Sequence, residues 1–452
     1  MTRQDAPVSP PVVLTIAGSD SGGGAGIQAD LKTIEACGGF GTSAVTSVTA
    51  QNTTGVERTH VLPTEEIRGQ CETVTSDFDV RAVKTGMLAT AAVVDLVTDE
   101  VRATDAPAVV DPVMVAASGD RLLAREAESA YEGLIAESTL VTPNADEAAV
   151  LTDIDPDDEA EARAAGERLV ELGADAALVT GGHVPGEDIV DVLVTGERVE
   201  TFRHPRVDTE ATHGSGCTLS SAVATRLAHG DSVVDAVSAG VDLLARAVRY
   251  NLDVGEGPGS VHHLVAARND AARERTAERV SAVVERLVAA DVSPLVPEVG
   301  ANVAGATPYA ERPAEAAAVE GRITRTLSGV APNRGVRFGA STHVARTLLA
   351  ARESAPELRF AVNYRYDEAV ADALDRLDGP VAEFDPAAEG EAAGDDTAIE
   401  RGVERAIEAV AGPPEAVVNH GGYGDEPIAF LMAADDERLV ARTHTVLDEL
   451  RE

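Results

Sequence analysis

The chain has 452 residues, of which 44% are hydrophobic, and its formal net charge at pH 7 is −40. A field this negative repels nucleic acid and anionic membrane surfaces, so the sequence predicts neither as a partner. The apolar fraction is too high for an acidic disordered chain, and the length is enough for two or three domains with their own cores.

The acidic residues are spread over the whole sequence. We interpret this charge as salt adaptation, because the Debye length falls to about 3 Å at 1 M salt and self-repulsion is relieved. The three cysteines, Cys37, Cys71 and Cys217, cannot all pair and have no spacing typical of a zinc site. The sequence has no apolar leader and no run of about 18 apolar residues, so we expect a cytoplasmic protein.

The first predicted strand leads into a glycine-rich turn. Residues 12–17 are apolar and mostly β-branched, residues 18–26 are rich in glycine, and residues 27–37 are predicted to be helical, which together open an α/β unit. A second strand, residues 43–50, ends at Gln51, whose amide can both donate and accept hydrogen bonds. Gln51 therefore suits a heteroaromatic ring with an amino group and, equally, a turn.

The same strand-to-loop pattern recurs along the first half. Strands that alternate with helical segments such as residues 160–172 predict a mostly parallel sheet with helices on both faces. Ligands of such sheets lie beyond the carboxyl ends of the strands. At one of these ends, Asp111 is compatible with a metal site and equally with a simple turn before Pro112. The loops that follow the predicted strands lie at residues 84–88, 111–114, 142–144 and 180–182.

Residues 211–221 carry the strongest chemical signal. Gly214 and Gly216 lack a Cβ, so the backbone can turn tightly and point consecutive N–H groups at one spot. A helix predicted to start at Thr218 adds its own unpaired N–H groups. Such a donor set suits a phosphoryl group in transfer, whereas the alternative is an ordinary glycine loop before a helix. The candidate catalytic residues are Gly214, Ser215, Gly216 and Cys217.

Ten short motifs occur in order across residues 12–264. They lie at residues 17–20, 21–33, 49–53, 84–88, 111–114, 118–120, 142–144, 180–183, 213–218 and 258–263. Any one of them is a weak signal, but their ordered combination is specific. Together they resemble the hydroxymethylpyrimidine/phosphomethylpyrimidine kinases of thiamine biosynthesis.

The resemblance implies a ribokinase-like fold and two successive phosphorylations by ATP. The first is on the hydroxymethyl group of 4-amino-5-hydroxymethyl-2-methylpyrimidine, and the second is on the resulting monophosphate. It also implies Mg²⁺ as the metal, with Asp111 as a ligand, and an anion hole at residues 214–217. The residues expected to hold the pyrimidine are Gly18, Asp30, Gln51 and Met87, and those expected to serve Mg-ATP are Asp111, Asn144, Thr180 and Gly182.

Position 217 distinguishes this chain from many sugar kinases of the ribokinase superfamily. Those enzymes carry Asp as the general base after the second glycine, whereas this chain has Cys217. A thiol with a free pKa of about 8.5 is a poor base, although a helix N-terminus can lower that pKa. Cys217 is therefore either the general base or a residue that shapes the pocket, and a sugar kinase is disfavoured.

A charged helical stretch, residues 269–290, separates these motifs from a different set of loops. We therefore predict two domains, residues 1–265 and residues 266–452, of which the second is a smaller α/β domain. Each of its arginines is compatible with a surface ion pair. A fork-like diphosphate site is the alternative, because guanidinium groups bind phosphate oxygens bidentately. The arginines of this predicted fork are Arg337, Arg346 and Arg365.

The second half carries a block at residues 337–346, a predicted strand at residues 360–366 and a glycine-rich turn at residues 419–427. Over residues 281–450 these features resemble the ThiN type of thiamine-phosphate synthase. The resemblance implies coupling of the pyrimidine diphosphate to thiazole phosphate, with release of diphosphate. Asp425 departs from the Lys that related sequences often carry. The candidate residues are Arg346 and His420 for catalysis and Arg337, Ser341, His343 and Arg365 for binding.

Our hypothesis is a bifunctional enzyme whose first domain makes the substrate of the second. The alternative is a kinase whose second domain senses thiamine phosphates, because ThiN-like domains also occur attached to DNA-binding modules. The sequence has neither a helix-turn-helix pattern nor a basic face, which opposes DNA contact. We expect small-molecule substrates, no nucleic acid or membrane partner, and a homo-oligomer, a dimer in the first instance.

Overall fold

The computed structural model describes residues 6–115, 122–182, 186–385, 396–421 and 426–452. Tertiary contacts divide the chain into unit 1, Met1–Ala267, and unit 2, Arg268–Glu452. The motif at residues 118–120, the last residue of the motif at residues 180–183, and residues 422–425 of the glycine-rich turn, Asp425 included, lie outside the described residues. Across the described ranges, no helix is both long enough and apolar enough to cross a bilayer.

The described strands of unit 1 are β1 (Val12–Asp20), β2 (Phe40–Asn52), β3 (Gly55–Val61), β4 (Val80–Thr85), β5 (Ala108–Val110), β6 (Leu140–Val141), β7 (Ala176–Val179), β8 (Asp188–Thr195) and β9 (Val199–Pro205). They form one sheet in the order β3-β2-β1-β4-β5-β6-β7-β8-β9. The pairs from β2 through β7 are parallel, and β3, β8 and β9 add antiparallel edges. The predicted mostly parallel sheet is confirmed.

Helices cover both faces of this sheet, as predicted. The described helices are α1 (Gly26–Ala36), α2 (Thr64–Asp77), α3 (Ala91–Arg102), a 3₁₀ helix (Arg125–Ala130), α4 (Tyr131–Ile135), α5 (Ala145–Thr152), α6 (Glu159–Glu171), α7 (Ser215–Ala228), α8 (Val233–Arg249) and α9 (Val265–Ala271). Alternate residues of β1 enter opposite cores: Leu14 and Ile16 pack with α3 and α4, whereas Val13 packs with α7 and α8. A sheet buried on both faces explains the nearly continuous apolar strand sequences.

Unit 2 is a smaller α/β structure with a mainly antiparallel sheet. Its described strands are β10 (Val303–Ala306), β11 (Ala316–Val319), β12 (Ile323–Thr326), β13 (Gly329–Pro332), β14 (Val336–Phe338), β15 (Phe360–Arg365), β16 (Val381–Phe384), β17 (Ala416–Asn419) and β18 (Ile428–Ala433). The sheet order is β14-β11-β10-β15-β18-β17-β16, with β16 and β17 parallel, and β12 and β13 form a separate hairpin.

Helices also lie on both faces of the sheet of unit 2. They are α10 (Arg273–Ala289), α11 (Thr342–Ser354), α12 (Glu368–Leu374), α13 (Asp396–Glu408) and α14 (Asp436–Glu449), with 3₁₀ turns at Ser293–Leu295 and Pro313–Glu315. One core contains side chains of α10, α12 and α14, such as Val283, Val370 and Leu439. The other contains side chains of α11 and α13, such as Leu348 and Val403.

Candidate active site

A cavity of about 580 Å³ lies at the carboxyl ends of β1, β4, β5, β6 and β7 in unit 1. This is the edge at which α/β sheets bind their ligands, and the volume is within the usual range for a small-molecule site. Eleven of the residues predicted from the sequence line this one cavity: Gly18, Gln51, Met87, Asp111, Asn144, Thr180, Gly182, Gly214, Ser215, Gly216 and Cys217.

The loop before α7 has the geometry of an anion hole. Gly214 is the N-cap of α7, with φ of 86°, and a Cβ at this position would lie 1.9 Å from the carbonyl oxygen of Gly24. A residue with a side chain would have to adopt the strained left-handed conformation and also displace the Gly24 loop. Gly214 therefore lets two loops approach closely, and the first residues of α7, Ser215 to Cys217, line the cavity.

Helix α7 begins at Ser215, three residues before the predicted start at Thr218. Gly216 and Cys217 consequently lie in the first helical turn. A Cβ on Gly216 would make an ordinary contact, at 3.5 Å, with Asp111 Oδ2. The expectation that both glycines supply special backbone freedom is thus wrong for Gly216, because helical backbone accommodates any residue except proline without strain.

A buried charge cluster lies behind the anion hole. Lys84, at the end of β4, is completely buried, and its Nζ lies 2.8 Å from Asp30 Oδ1 and 3.8 Å from Asp111 Oδ2. Burial lowers the pKa of Lys84, but Asp30, the Cys217 side chain and Asp111 raise it by more, so the ammonium form is retained. Sequence reasoning missed Lys84, although a lysine inside an apolar strand of a lysine-poor chain was a usable signal.

Asp30 does not reach the cavity, so the structure places it away from the predicted pyrimidine contacts. Its carboxylate is fully buried and accepts hydrogen bonds from the Thr15 hydroxyl at 2.6 Å, the Ser221 hydroxyl at 2.9 Å and the Lys84 ammonium. These three donors occupy both oxygens of the Asp30 carboxylate on the side of α1 that faces the sheet. Asp30 therefore holds Lys84 from the interior of the fold and is shielded from the cavity.

Cys217 lies beside this cluster. Burial raises the pKa of its thiol to about 12, and Asp30 and Asp111 add to that rise while Lys84 opposes it. The helix N-terminus was a reason to consider a lowered pKa for Cys217. The two carboxylates and the partial burial of the side chain act in the opposite direction.

Two carboxylates meet on the other side of the anion hole. Asp111 follows β5, and Glu147 lies in the first turn of α5, where it forms a capping box with Asn144. Both carboxylates are buried and line the cavity, and burial, together with the proximity of the two groups, raises the pKa of Glu147. Sequence reasoning missed Glu147, although the Asn-x-x-Glu spacing of a capping box could have identified it.

This pair suits the Mg²⁺ that the fold family implies. Among the described residues no cationic side chain pairs with Glu147, and both carboxylates are hard oxygen donors. Mg²⁺ in nucleotide sites takes one or two carboxylates plus phosphate oxygens. In the parts of the chain that the structure describes, no three His, Cys, Asp or Glu side chains converge as a complete metal cage. The donor set therefore fits Mg²⁺ bound together with a nucleotide.

Gly18, Met87 and Gln51 line another part of the cavity. A Cβ on Gly18 would lie 2.8 Å from Ser47 Oγ and 3.2 Å from Met87 Sδ, so glycine keeps this wall open. Thr46 donates a hydrogen bond to the Met87 carbonyl at 2.7 Å and so holds Met87 in place. Gln51, at the end of β2, presents its amide to the same space.

Thr180 and Gly182 lie at the end of β7, beside the side chains of Ile189 and Val248 that also line the cavity. The Thr180 N–H donates to the Pro143 carbonyl at 3.0 Å, and Arg206 donates to the Gly182 carbonyl at 2.8 Å. A backbone hydrogen bond and the Arg206 guanidinium thus hold these two residues at a partly apolar wall of the cavity.

The arginines of unit 2 do not form the predicted fork. Arg337 on β14 pairs with Glu320 at 3.0 Å and is exposed, whereas Arg365 on β15 pairs with Asp367. β14 and β15 are three places apart in the sheet, a separation of roughly 14 Å at the usual strand spacing. Arg346 lies partly buried on α11. The guanidinium groups of Arg337 and Arg365 therefore have separate environments.

A smaller group of polar side chains forms at the carboxyl ends of β15 and β17. His420 Nε2 lies 2.9 Å from Glu383 Oε2, and its ring contacts Tyr366 edge-on with 5.6 Å between centroids. Sequence reasoning singled out His420 but not Glu383 or Tyr366. His343, in the first turn of α11, has its ring 5.5 Å from that of Phe430, and Ser341 is the N-cap of α11.

The sheet order of unit 1 is that of a ribokinase-like fold, and helix N–H groups beside paired carboxylates suit the transfer of a phosphoryl group to a small molecule. The sequence profile of the phosphomethylpyrimidine kinase family matches residues 20–262, and that of the thiamine-phosphate synthase ThiN matches residues 279–445. The chain therefore belongs to the phosphomethylpyrimidine kinase family, with a ThiN domain in unit 2. Both predicted resemblances are confirmed.

Individual relatives agree with this assignment. The chain is 50% identical over 264 residues to a hydroxymethylpyrimidine/phosphomethylpyrimidine kinase of Streptomyces coelicolor, which covers 58% of this chain and 98% of the relative. It is 44% identical over 259 residues to the thiamine biosynthesis bifunctional protein ThiED of Geobacter sulfurreducens, and the match covers 57% of this chain and 53% of the relative. An ADP complex of Bacillus subtilis pyridoxal kinase aligns with a TM-score of 0.53 and 34% identity, covering 57% of this chain and 99% of that one.

Proposed function

We propose that this chain is a bifunctional enzyme of thiamine biosynthesis. Unit 1 phosphorylates 4-amino-5-hydroxymethyl-2-methylpyrimidine and then its monophosphate with ATP. Unit 2 couples the resulting diphosphate to thiazole phosphate and releases diphosphate and thiamine phosphate. The observation that carries the proposal is the convergence of the Gly214 anion hole, Lys84 and two buried carboxylates on one cavity within the kinase-family match.

The residue roles follow from this placement. Gln51, Gly18 and Met87 hold the pyrimidine, while Asn144, Thr180 and Gly182 serve the nucleotide. The N–H groups of Gly214, Gly216 and Cys217 stabilise charge on the transferred phosphoryl group, as preorganised backbone donors do at other oxyanions, while the Ser215 N–H donates to the Thr212 carbonyl at 3.1 Å and shapes the loop. Lys84 positions Asp111 from behind the anion hole.

Mg²⁺ would be held by Asp111 and Glu147. When bound, it supplies positive charge that offsets the charge of the phosphate oxygens. Asp111 and Glu147 keep their oxygens in place through Ser220, which donates to Asp111 at 3.2 Å, and through the Asn144 N–H, which donates to Glu147 at 3.1 Å.

For unit 2, we propose that Arg346, His343 and Ser341 on α11 bind phosphate groups and that His420, oriented by Glu383, donates a hydrogen bond to the departing diphosphate. Arg337 and Arg365 are assigned to binding as separate contacts, because the sheet order keeps them apart. The helix N-terminus at Ser341 and an imidazole held by a carboxylate support a reaction in which negative charge departs.

The test is mass spectrometry of the products formed by the intact chain from the pyrimidine, Mg-ATP and thiazole phosphate. We expect the pyrimidine monophosphate, the diphosphate and then thiamine phosphate. With Arg346→Ala, the products should end at the pyrimidine diphosphate. The control Arg376→Ala, at an exposed arginine paired with Glu449, should still form thiamine phosphate. If the wild type accumulates the pyrimidine diphosphate and forms no thiamine phosphate, the synthase assignment of unit 2 is rejected and a sensing domain is favoured.

Cys217 is assigned to pocket shape, because its raised pKa leaves very little thiolate near neutral pH. We expect Cys217→Ser to lower kcat of the kinase less than tenfold, since serine preserves the size and the hydrogen-bonding capacity of the side chain. Steady-state kinetics on the intact chain provide the measurement. A loss of about 10²–10⁴ without a change in KM would instead make Cys217 the general base.

Glu147 offers a test of the Mg²⁺ site that does not depend on turnover. Glu147→Gln removes a buried carboxylate that accepts hydrogen bonds from the Met114 and Asn144 N–H groups but has no cationic partner among the described residues, so we expect the melting temperature of the ligand-free protein to rise by about 2–6 °C. Mg²⁺ with ADP should raise the melting temperature of the wild type much more than that of Glu147→Gln. Glu132→Gln, at an exposed glutamate of α4, is the control and should respond like the wild type. If Mg²⁺ with ADP raises the melting temperatures of Glu147→Gln and Glu132→Gln equally, Glu147 is excluded as a ligand.

We further propose a cytoplasmic homodimer adapted to concentrated salt, built from two independently folding domains that divide near residue 265. The net charge of −40 supports the salt adaptation and opposes nucleic acid or membrane partners. The two separate sets of core clusters support independent folding.

A further inference from the structure

A buried carboxylate borders the pyrimidine end of the cavity. Asp20, at the end of β1, is 4% exposed, and its oxygens accept hydrogen bonds from the N–H groups of Gly22 at 2.7 Å, Gly24 at 3.0 Å and Ala25 at 2.8 Å. Its Oδ2 also lies 3.2 Å from His213 Nε2. These four donors make Asp20 a fixed negative charge beside the imidazole.

This charge determines the proton position on His213. Burial raises the pKa of Asp20, but the contacts from His213 and the backbone N–H groups lower it by more, so the carboxylate is ionised. An ionised carboxylate only accepts hydrogen bonds. His213 Nε2 must therefore carry a hydrogen, which Asp20 Oδ2 at 3.2 Å and a second acceptor at a similar distance can share, and Nε2 offers no lone pair.

The proton on His213 in turn determines how Gln51 is oriented. An end of the Gln51 amide lies 3.3 Å from His213 Nε2, and the other end lies 3.1 Å from Thr49 Oγ1. Two N–H groups cannot bond to each other, so Oε1 is the end that faces His213. The Thr49 hydroxyl donates to the Ser19 carbonyl at 2.9 Å and is left to accept from the Gln51 N–H.

A fixed amide has a fixed polarity toward the cavity. One lone pair of Gln51 Oε1 and one N–H of its amide nitrogen remain for a ligand. Toward the cavity, Gln51 therefore presents a hydrogen-bond acceptor beside a donor. If the hydroxymethyl group of the substrate points at the anion hole, the order of the atoms on the adjacent ring edge is also fixed. A 4-amino ring then offers a donor beside a ring-nitrogen acceptor, whereas a 4-oxo ring with a ring N–H offers the reverse.

We propose that the Asp20–His213 pair is a positioning device that fixes the polarity of the Gln51 amide and so makes unit 1 select a 4-aminopyrimidine over its 4-oxo counterpart. The inference rests on the proposed function, since it concerns the same cavity. Asp20 and His213 act through Gln51 and are positioning residues. Gly24 leaves room for this arrangement, because a Cβ there would lie 2.5 Å from the imidazole ring of His213.

The test compares kcat/KM of the intact chain for the 4-amino substrate and for its 4-oxo analogue. We expect His213→Phe, which removes the N–H donor and lets the amide turn, to lower the amino-to-oxo ratio at least tenfold, mainly through KM. His213→Asn, which restores an N–H donor toward Asp20, should recover part of the ratio. His60→Phe, at an exposed histidine of β3, is the control and should keep the wild-type ratio.

Calorimetric binding of the two pyrimidines provides the same ratio for variants with no turnover. If His213→Phe does not fold, Asp20→Asn, which frees the tautomer of His213, is measured against His213→Asn. An unchanged ratio in a folded variant would overturn the inference while leaving the kinase assignment intact. A wild type that phosphorylates neither compound would instead reject the proposed function itself.

Discussion

Replacing Gly214 with Ala is expected to lower kcat/KM of the kinase by about 10²–10³, the range found when one donor of an oxyanion hole is lost. The added Cβ would lie 1.9 Å from the Gly24 carbonyl oxygen, and the φ of 86° is unfavourable for alanine. Both loops must then shift, which moves the N–H groups of α7 away from the phosphoryl group. ATP-dependent pyrimidine phosphorylation by the intact chain is the measurement.

The control for this variant lies at the other end of the same helix. Gly230 follows α7 with φ of 94°, and a Cβ there would meet nothing within 4 Å. Gly230→Ala therefore introduces comparable backbone strain without a clash and far from the anion hole, so its kinase rate should stay within about twofold of the wild type. If both alanine variants lose activity equally, the effect of Gly214 is one of fold stability and the anion-hole assignment fails.

The location of the site in unit 1 could be predicted because it follows from local patterns. Each apolar strand ends in polar or glycine residues, and parallel strands bring those ends to one edge, which predicts Gln51 and Asp111 there; the family resemblance adds Gly214 to the same site. The parallel core of the sheet was predictable for the same reason. These inferences need only the order of strands and helices along the chain.

The depth of a side chain below the cavity could not be predicted in this way. Asp30 belongs to a motif of the family and was expected to touch the pyrimidine, but it faces Lys84, Thr15 and Ser221 inside the fold. Whether a helical carboxylate faces the sheet or the ligand depends on how α1 rotates against β1. The sequence pattern does not specify that rotation to within one residue.

Sheet order explains the failure of the arginine fork in unit 2. Arg337 and Arg365 lie on β14 and β15, which are successive along the chain and would be neighbours in a simple meander. The chain instead places β11 and β10 between them. Long-range pairing of this kind depends on packing of the whole unit, here the antiparallel contact of β10 with β15, and leaves no local trace in the sequence.

Replacing Lys84 with Met is expected to lower the free energy of unfolding of unit 1 by about 3–5 kcal/mol, the cost of breaking a buried ion pair by removing one partner. Methionine fills a similar volume, so the loss reports charge and not a cavity. Asp30 and Asp111 are left as buried carboxylates without their ammonium at 2.8 and 3.8 Å. Urea unfolding of the intact chain, followed at the transition of unit 1, gives the value.

A double variant separates the electrostatic contribution of Lys84 from its contribution to packing. Adding Asp30→Asn to Lys84→Met removes one uncompensated charge while the asparagine oxygen still accepts from Thr15 or Ser221, so most of the lost stability should return. Kinase activity should not return, because Asp111 still lacks its positioning ammonium. Lys32→Met, at the other lysine of the chain, exposed and bonded to the Gly23 carbonyl, should cost only about 1 kcal/mol. A double variant no more stable than Lys84→Met would mean that Lys84 contributes through packing, and the buried charge cluster would lose its proposed role.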